Sequence, residues 1–86
     1  MQIAGLESRD DALARVALDA ANAKQPAVVK KAIQNIAGVE GKDRTAEQCA
    51  VALAKRSEPR AANEVAQLIS SVEARDRTFG TIAKGQ

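Results

Sequence analysis

The chain matches itself when it is shifted by 33 positions, and this periodicity restricts its fold more than any other feature. Of the 53 residue pairs that lie 33 positions apart, 16 are identical. Three aspartates coincide, Asp10, Asp43 and Asp76, and so do Pro26 and Pro59. We call this shift the repeat period. An internal repeat of this length is typical of a helical solenoid, in which each unit packs only against its neighbours.

The repeat divides the 86 residues into two full units and two partial ones. The full units are approximately residues 9–41 and 42–74, and the partial units are 1–8 and 75–86. A chain of this length forms one domain at most. We therefore predict a single helical-repeat domain over residues 1–86.

The spacing of apolar residues predicts four helices and a short fifth, with no strand. We place them at about residues 10–24, 26–37, 43–56, 59–72 and 76–83. Residues 1–6 are expected to end a preceding outer helix. The first and third helices are apolar over much of their circumference, as inner helices are, and the second and fourth are amphipathic. The predicted fold is an all-α, right-handed α-solenoid of stacked antiparallel helix pairs.

Short-range signals predict how the helices begin and end. Three aspartates recur at the predicted starts of the inner helices, where they would cap free N–H groups: Asp10, Asp43 and Asp76. Two pairs have the spacing of a capping box: Ser8 with Asp11, and Thr45 with Gln48. Gly5 and Gly38 are expected to end outer helices in the left-handed conformation. Glu40–Arg44 and Glu73–Arg77 would pair if the helix runs through them.

Packing residues on the two kinds of helix recur in a pattern that resembles a known repeat class. The inner helices carry Leu13, Val16 and Ala17, then Ala46, Cys49 and Ala50, then Phe79, Ile82 and Ala83. The outer helices carry Val29, Ile33 and Ile36, then Ala62, Ala66 and Ile69. This pattern resembles the tetratricopeptide-repeat class, and HEAT-like helical repeats are the alternative. The resemblance implies a groove lined by the first helix of each unit.

The apolar residues are small. Alanine accounts for 19 of the 39 apolar residues, and the chain has one Phe and neither Tyr nor Trp. Because the stabilisation from burial scales with apolar area, such a core is thin for its length. Two interpretations follow: a small domain that is just stable enough alone, or one that gains stability from further repeats or a partner. Ala17 and Ala50, in the middle of the apolar stripe, are predicted to be buried.

The remaining composition argues against an enzyme. The chain has no His and only one cysteine, Cys49, whose place on the apolar stripe predicts a core residue rather than a nucleophile. No zinc-ligand cluster, phosphate loop or paired carboxylates are visible, so we predict no metal, no cofactor and no catalytic residue. Without an apolar membrane span or secretory signal, the expected location is cytoplasmic.

The resemblance points to a protein–protein interaction module that binds a peptide or helix in its groove. The predicted partner-binding residues are Leu18, Arg44, Glu47, Val51, Lys55 and Arg77. Apolar Leu18 and Val51 would hold a partner whose acidic groups meet the cations. The alternative is that both are buried and the charges merely solvated.

Two other functions stay open. One is a regulatory or docking segment of a larger protein. The other is a nucleic-acid-binding helical repeat, although a net charge of +2 and a single aromatic residue argue against it.

The C-terminal segment predicts a second interaction. Phe79 and Ile82 repeat packing positions but have no following outer helix to cover them. Exposed apolar surface of this kind favours association, so we predict that this segment packs against another chain, either head to tail in a self-assembly or through a symmetric dimer. The competing outcome is that the short last helix folds over the fourth and covers itself.

Overall fold

A computed structural model describes the backbone of residues 5–85 and the side chains of residues 9–84. Over this range the chain forms five helices and no strand. In chain order they are α1 (Gly5–Asn22), α2 (Pro26–Gln34), α3 (Val39–Lys55), α4 (Pro59–Ala66) and α5 (Val72–Gly85). The predicted all-α class is confirmed. None of the described helices is both long and apolar enough to cross a membrane.

The helices lie in two layers. In the first layer α3 contacts both α1 and α5, while α1 and α5 do not contact each other. The second layer contains α2, which packs on α1, and α4, which packs on α3, and these two helices also touch. The Cα atoms extend over 46 × 27 × 15 Å, and the shortest dimension fits two layers of helices with axes about 8–10 Å apart.

The turns from α1 to α2 and from α3 to α4 have the same geometry. Lys24 and Ser57 stand one repeat period apart and adopt left-handed φ values of 61° and 64°. In each turn the next residue donates its N–H to a carbonyl earlier in the preceding helix: Gln25 to Ala20 at 2.8 Å, and Glu58 to Leu53 at 2.9 Å. This is the Schellman arrangement that ends a helix. Pro26 and Pro59 then begin α2 and α4, as predicted.

The odd-numbered helices begin earlier than the sequence indicates. α3 starts at Val39 rather than near Asp43, and α5 starts at Val72 rather than near Asp76. Gly38 is consequently not a left-handed C-terminal residue: it is extended, with φ −79° and ψ 129°, directly before α3. Thr45 lies inside α3 and is buried, so its predicted capping box is wrong.

The first helix, α1, also begins earlier than predicted. Gly5 and Leu6 begin α1 instead of ending an earlier helix, and Ser8 lies within α1 rather than at its N-cap. The remaining part of that prediction falls on residues 1–4, outside the described range. At the other end of each outer helix, α2 and α4 stop at Gln34 and Ala66, several residues before the predicted limits.

The core lies between the two layers and is made mostly of Ala, Val and Ile. Its largest fully buried apolar side chains are Ile33, Leu53, Ile69, Val29 and Val65. Ala17 and Ala50 are fully buried, which confirms their prediction. The sequence pattern predicts that Val72 points inward from the fourth helix. Val72 is instead 59% exposed, at the start of α5.

The last helix is covered more completely than predicted. Ile82 is only 3% exposed because α5 packs against α3 and α4. Phe79 is partly buried and packs against the same core. The expectation that both side chains lie open is therefore wrong for Ile82, and only Phe79 of this pair keeps accessible surface.

Candidate functional site

Two aspartates join consecutive odd-numbered helices through backbone hydrogen bonds. The Asp10 carboxylate on α1 accepts from the N–H groups of Ala37 and Gly38, both at 3.0 Å. The Asp43 carboxylate on α3 accepts from Ser70 at 2.8 Å and Ser71 at 3.2 Å. All three positions of the second set lie one repeat period after those of the first. We call each arrangement an inter-unit cap.

The inter-unit cap replaces the local role that the sequence predicts for these aspartates. Asp10 and Asp43 lie inside their own helices and serve the N–H groups that directly precede the next odd-numbered helix. Those groups lack intrahelical partners, so a carboxylate satisfies them well. The two backbone hydrogen bonds hold the pKa of Asp10 below its ordinary value of 3.8. α5 has a local cap as well, because the Ser71 hydroxyl accepts from the N–H of Ala74 at 3.2 Å.

The third aspartate of the series makes no such contact. Asp76 is exposed on α5 and accepts no hydrogen bond from the described residues beyond its own helix. The described chain therefore contains two inter-unit caps and a third acceptor of the same kind.

The exposed sides of α1, α3 and α5 form one surface, which we call the inner face. It carries Asp11 on α1, four residues of α3 and Arg77 on α5; the α3 residues are Arg44, Glu47, Val51 and Lys55. Five of the six predicted partner-binding residues therefore lie on it. The sixth, Leu18, is half-buried, as Glu47 and Val51 are, but it packs against the core.

Two of the predicted binding residues pair with each other. Arg77 Nε donates to Glu47 Oε2 at 3.2 Å, and Arg77 Nη2 donates to Glu47 Oε1 at 3.3 Å. The pair joins α3 to α5, and the Glu47 carboxylate raises the pKa of Arg77. A partner that bound Arg77 would have to compete with this two-bond contact. Arg44 lies beside the pair in the same shallow depression.

A cleft of about 350 Å³ opens between the C-terminal halves of α1 and α3. Its lining residues are Asn22, Gln48, Val51, Ala52, Lys55 and Arg56. Lys55 and Arg56 are exposed, and none of the lining residues is acidic. Val51 supplies an apolar wall one helical turn before Lys55. The cleft therefore combines two cations, two amides and the apolar side chains of Val51 and Ala52.

Sequence reasoning missed Arg56 as a member of the cleft. Its guanidinium donates from Nη2 to Asn22 Oδ1 at 3.4 Å, which turns it toward α1. Arg56 is the C-cap of α3, and the sequence marks it only as the end of that helix, with no expected direction. The available signal was the repeat equivalence, which places α1 beside α3 and so Asn22 beside the end of α3.

The sole thiol lies in the core. Cys49 is fully buried, and burial raises its pKa to about 12. A thiol of this pKa is protonated at neutral pH and is a poor nucleophile.

The outer layer contributes one ion pair between α2 and α4. Lys30 Nζ donates to Glu64 Oε1 at 2.8 Å, and this hydrogen bond lowers the pKa of Glu64. Both side chains are substantially exposed, so the pair contributes little to stability.

In comparisons with known proteins, neither a family model, nor a curated protein, nor a solved structure matches this chain.

Proposed function

We propose that this chain is a non-catalytic interaction module built as a helical-repeat solenoid, and that it binds a peptide or helix on its inner face. Support for the repeat arrangement comes from the two inter-unit caps and the two left-handed turns, each pair spaced by one repeat period. Support for binding comes from the inner face, because α1, α3 and α5 form a layer with one side open.

The observation that carries the proposal is the cleft between α1 and α3. Its cations, Lys55 and Arg56, make no ion pair with the described residues. A carboxylate of a partner would meet both of them, and the apolar part of the partner would lie on Val51. Charge-assisted hydrogen bonds to Arg and Lys are the strong ones, so an acidic residue beside an apolar one is the preferred ligand.

The rest of the inner face favours an extended partner over a compact one. Between the cleft and α5 lie Arg44 and the Glu47–Arg77 pair, so charge of both signs is presented along the layer. A peptide seated with its acidic residue at Lys55 would run across these groups. Such alternation of charge sets direction and register more than affinity.

A peptide-display selection tests the proposal. Random twelve-residue peptides are selected on the immobilised protein, and their affinities are then measured for wild type and Lys55→Glu/Arg56→Glu. The expected result is enrichment of peptides with Asp or Glu beside an apolar residue, and at least tenfold weaker binding to the double variant, which corresponds to about 1.4 kcal/mol.

The matched control is Lys31→Glu/Lys84→Glu, which changes the net charge equally but away from the cleft. Peptides that bind both double variants alike would contradict the cleft assignment. A labelled single-stranded RNA is titrated in parallel at low salt. Salt-sensitive RNA binding that is lost in Lys55→Glu/Arg56→Glu, without any peptide enrichment, would replace the proposal with nucleic-acid binding.

A further inference from the structure

Equivalent positions in residues 9–41 and 42–74 differ in exposure on one side of the molecule. Val16 on α1 is 48% exposed, whereas Cys49, its equivalent on α3, is fully buried. Val28 on α2 is 44% exposed, whereas its equivalent Ala61 on α4 is 8% exposed. Ala12 is also exposed, and its equivalent Thr45 is buried. We call Ala12, Val16 and Val28 the leading face.

The chain itself shows what covers this kind of face. Cys49 and Ala61 belong to the helix pair α3 and α4, which packs on α1 and α2. We therefore expect the leading face to be buried by another odd-numbered helix, through the side of that helix that points toward the next helix pair.

The side of α5 that points away from α3 is exposed, although the equivalent sides of α1 and α3 are buried. Ala83 is exposed, although its equivalents Ala17 and Ala50 are fully buried. Phe79 keeps part of its surface, and Asp76 has no inter-unit cap to make with described residues. We call Asp76, Phe79 and Ala83 the trailing face.

We infer that two copies of this chain associate head to tail, with the trailing face of one copy on the leading face of the next. This inference rests on the repeat arrangement proposed above, but it uses the ends of the molecule and not the inner face. The contact of α5 with α1 of the next copy repeats the contact of α3 with α5 inside one chain. That inner contact exists although α5 has no outer helix following it within the described residues.

The sequence supplies the register of the contact. Ile3, Ala4 and Gly5 are identical to their equivalents one repeat period later, Ile36, Ala37 and Gly38. Ala37 and Gly38 are the N–H donors to Asp10. By the repeat register, Gly5, which begins α1, stands one repeat period before Gly38. Asp76 is the aspartate equivalent to Asp10 and Asp43, so we expect it to accept a hydrogen bond from the backbone N–H of Gly5 of the second copy.

A head-to-tail contact is heterologous, so it can be blocked from either side independently. Val16→Arg puts a charge on the leading face and leaves the trailing face intact. Ala83→Arg does the reverse. Each variant alone is expected to stay monomeric in sedimentation velocity at concentrations at which wild type gains mass. An equimolar mixture of the two is expected to form a one-to-one dimer and to stop there.

Two further variants sharpen the test. Asp76→Asn keeps one acceptor oxygen and is expected to weaken association about tenfold. Val39→Arg is the matched control, because Val39 and its equivalent Val72 are both highly exposed and so lie outside both faces. It is expected to associate as wild type does. Melting followed by circular dichroism checks that every variant is folded.

Three outcomes would overturn the inference. One is a wild type that remains monomeric at the highest concentration reached. The second is a dimer of Ala83→Arg alone, which would show a symmetric contact between leading faces. The third is a mixture of the two variants that does not associate. None of these outcomes bears on peptide binding by the inner face, so the two proposals fail separately.

Discussion

The first helix pair, α1 with α2, and the second, α3 with α4, are related by the repeat period but have different surroundings. Val16 and Val28 are exposed in the first pair, and their equivalents Cys49 and Ala61 are buried in the second. Ala17, by contrast, is fully buried, as is its equivalent in the second pair. Some positions are thus buried in both pairs, whereas others are buried only where another pair lies against them. Burial on the leading face is a property of stacking and cannot be read from one pair alone.

Placing a charge at the two equivalent positions should give the largest difference between the pairs. Cys49→Asp buries a carboxylate without a partner and is expected to cost more than about 3 kcal/mol of unfolding free energy. Val16→Asp, on an exposed site, is expected to change it by less than about 0.5 kcal/mol. Urea unfolding at low protein concentration measures both. Equal losses would show that Val16 is covered in solution.

Larger side chains at positions that are buried in both helix pairs should lower the stability by a similar amount in each pair. Ala17→Leu and Ala50→Leu each add volume to a fully packed site, and each is expected to cost about 1–3 kcal/mol. Thermal melting measures the loss, with Ala27→Leu on the exposed side of α2 as the control. If Ala50→Leu lowers the stability and Ala17→Leu does not, α1 can shift to accommodate the larger side chain. The two pairs would then differ in the packing of their interiors.

Removing Asp43 should destabilise the chain more than removing Asp76, because only Asp43 forms an inter-unit cap with the described residues. Asp43→Ala leaves the N–H groups of Ser70 and Ser71 without their acceptor and is expected to cost about 1 kcal/mol. Asp76→Ala removes an equivalent carboxylate that accepts nothing from the described loops, and a change within about 0.5 kcal/mol is expected. Urea unfolding of the dilute protein distinguishes the two. A comparable loss at Asp76 would reveal a partner for it within one chain.

The smallest expected effect is on the stability of the chain at acid pH. The pKa of Asp10 is lowered in the folded chain, so its ionised form favours folding. That stabilisation is fully present above the unfolded pKa, near 3.8, and is lost as the pH falls through the folded value. Asp10→Asn should therefore be less stable than wild type at pH 7 and approach it at pH 3. Asp11→Asn, measured in the same urea unfolding series, is the neighbouring control that removes a carboxylate outside the inter-unit cap. A constant gap between Asp10→Asn and wild type would contradict the role of the carboxylate.

The sequence predicts the existence and type of the elements but not all of their limits. Pro26 and Pro59 mark α2 and α4 because proline acts locally, through its fixed φ and missing N–H. The start of α3 escapes a local reading because its cap is the Asp10 side chain, 27 and 28 residues before the N–H groups that it accepts from. Lys24 and Ser57 are not recognisable as left-handed residues, since neither has the preference of Gly for that conformation.

The candidate site was predictable to a similar extent. Val51 and Lys55 lie one turn apart on a helix, so their common face follows from helical periodicity alone. The Glu47–Arg77 pair joins two helices, and it depends on how α5 is placed against α3. The direction of Arg56 likewise depends on a side chain of another helix. Contacts between helices require the packing to be known, and the repeat indicates only which helices are neighbours.

The inter-unit cap also depends on the number of residues between the aspartate and its N–H donors. Each of the two caps spans 27 or 28 residues, less than one period, and the donors and acceptor of the second lie one repeat period after those of the first. A duplication of one whole period, at any phase, would preserve every cap and add one more. An insertion of another length inside the span would separate an aspartate from its N–H groups. Under the repeat arrangement proposed above, the chain could therefore gain or lose one whole period and keep the geometry of each junction.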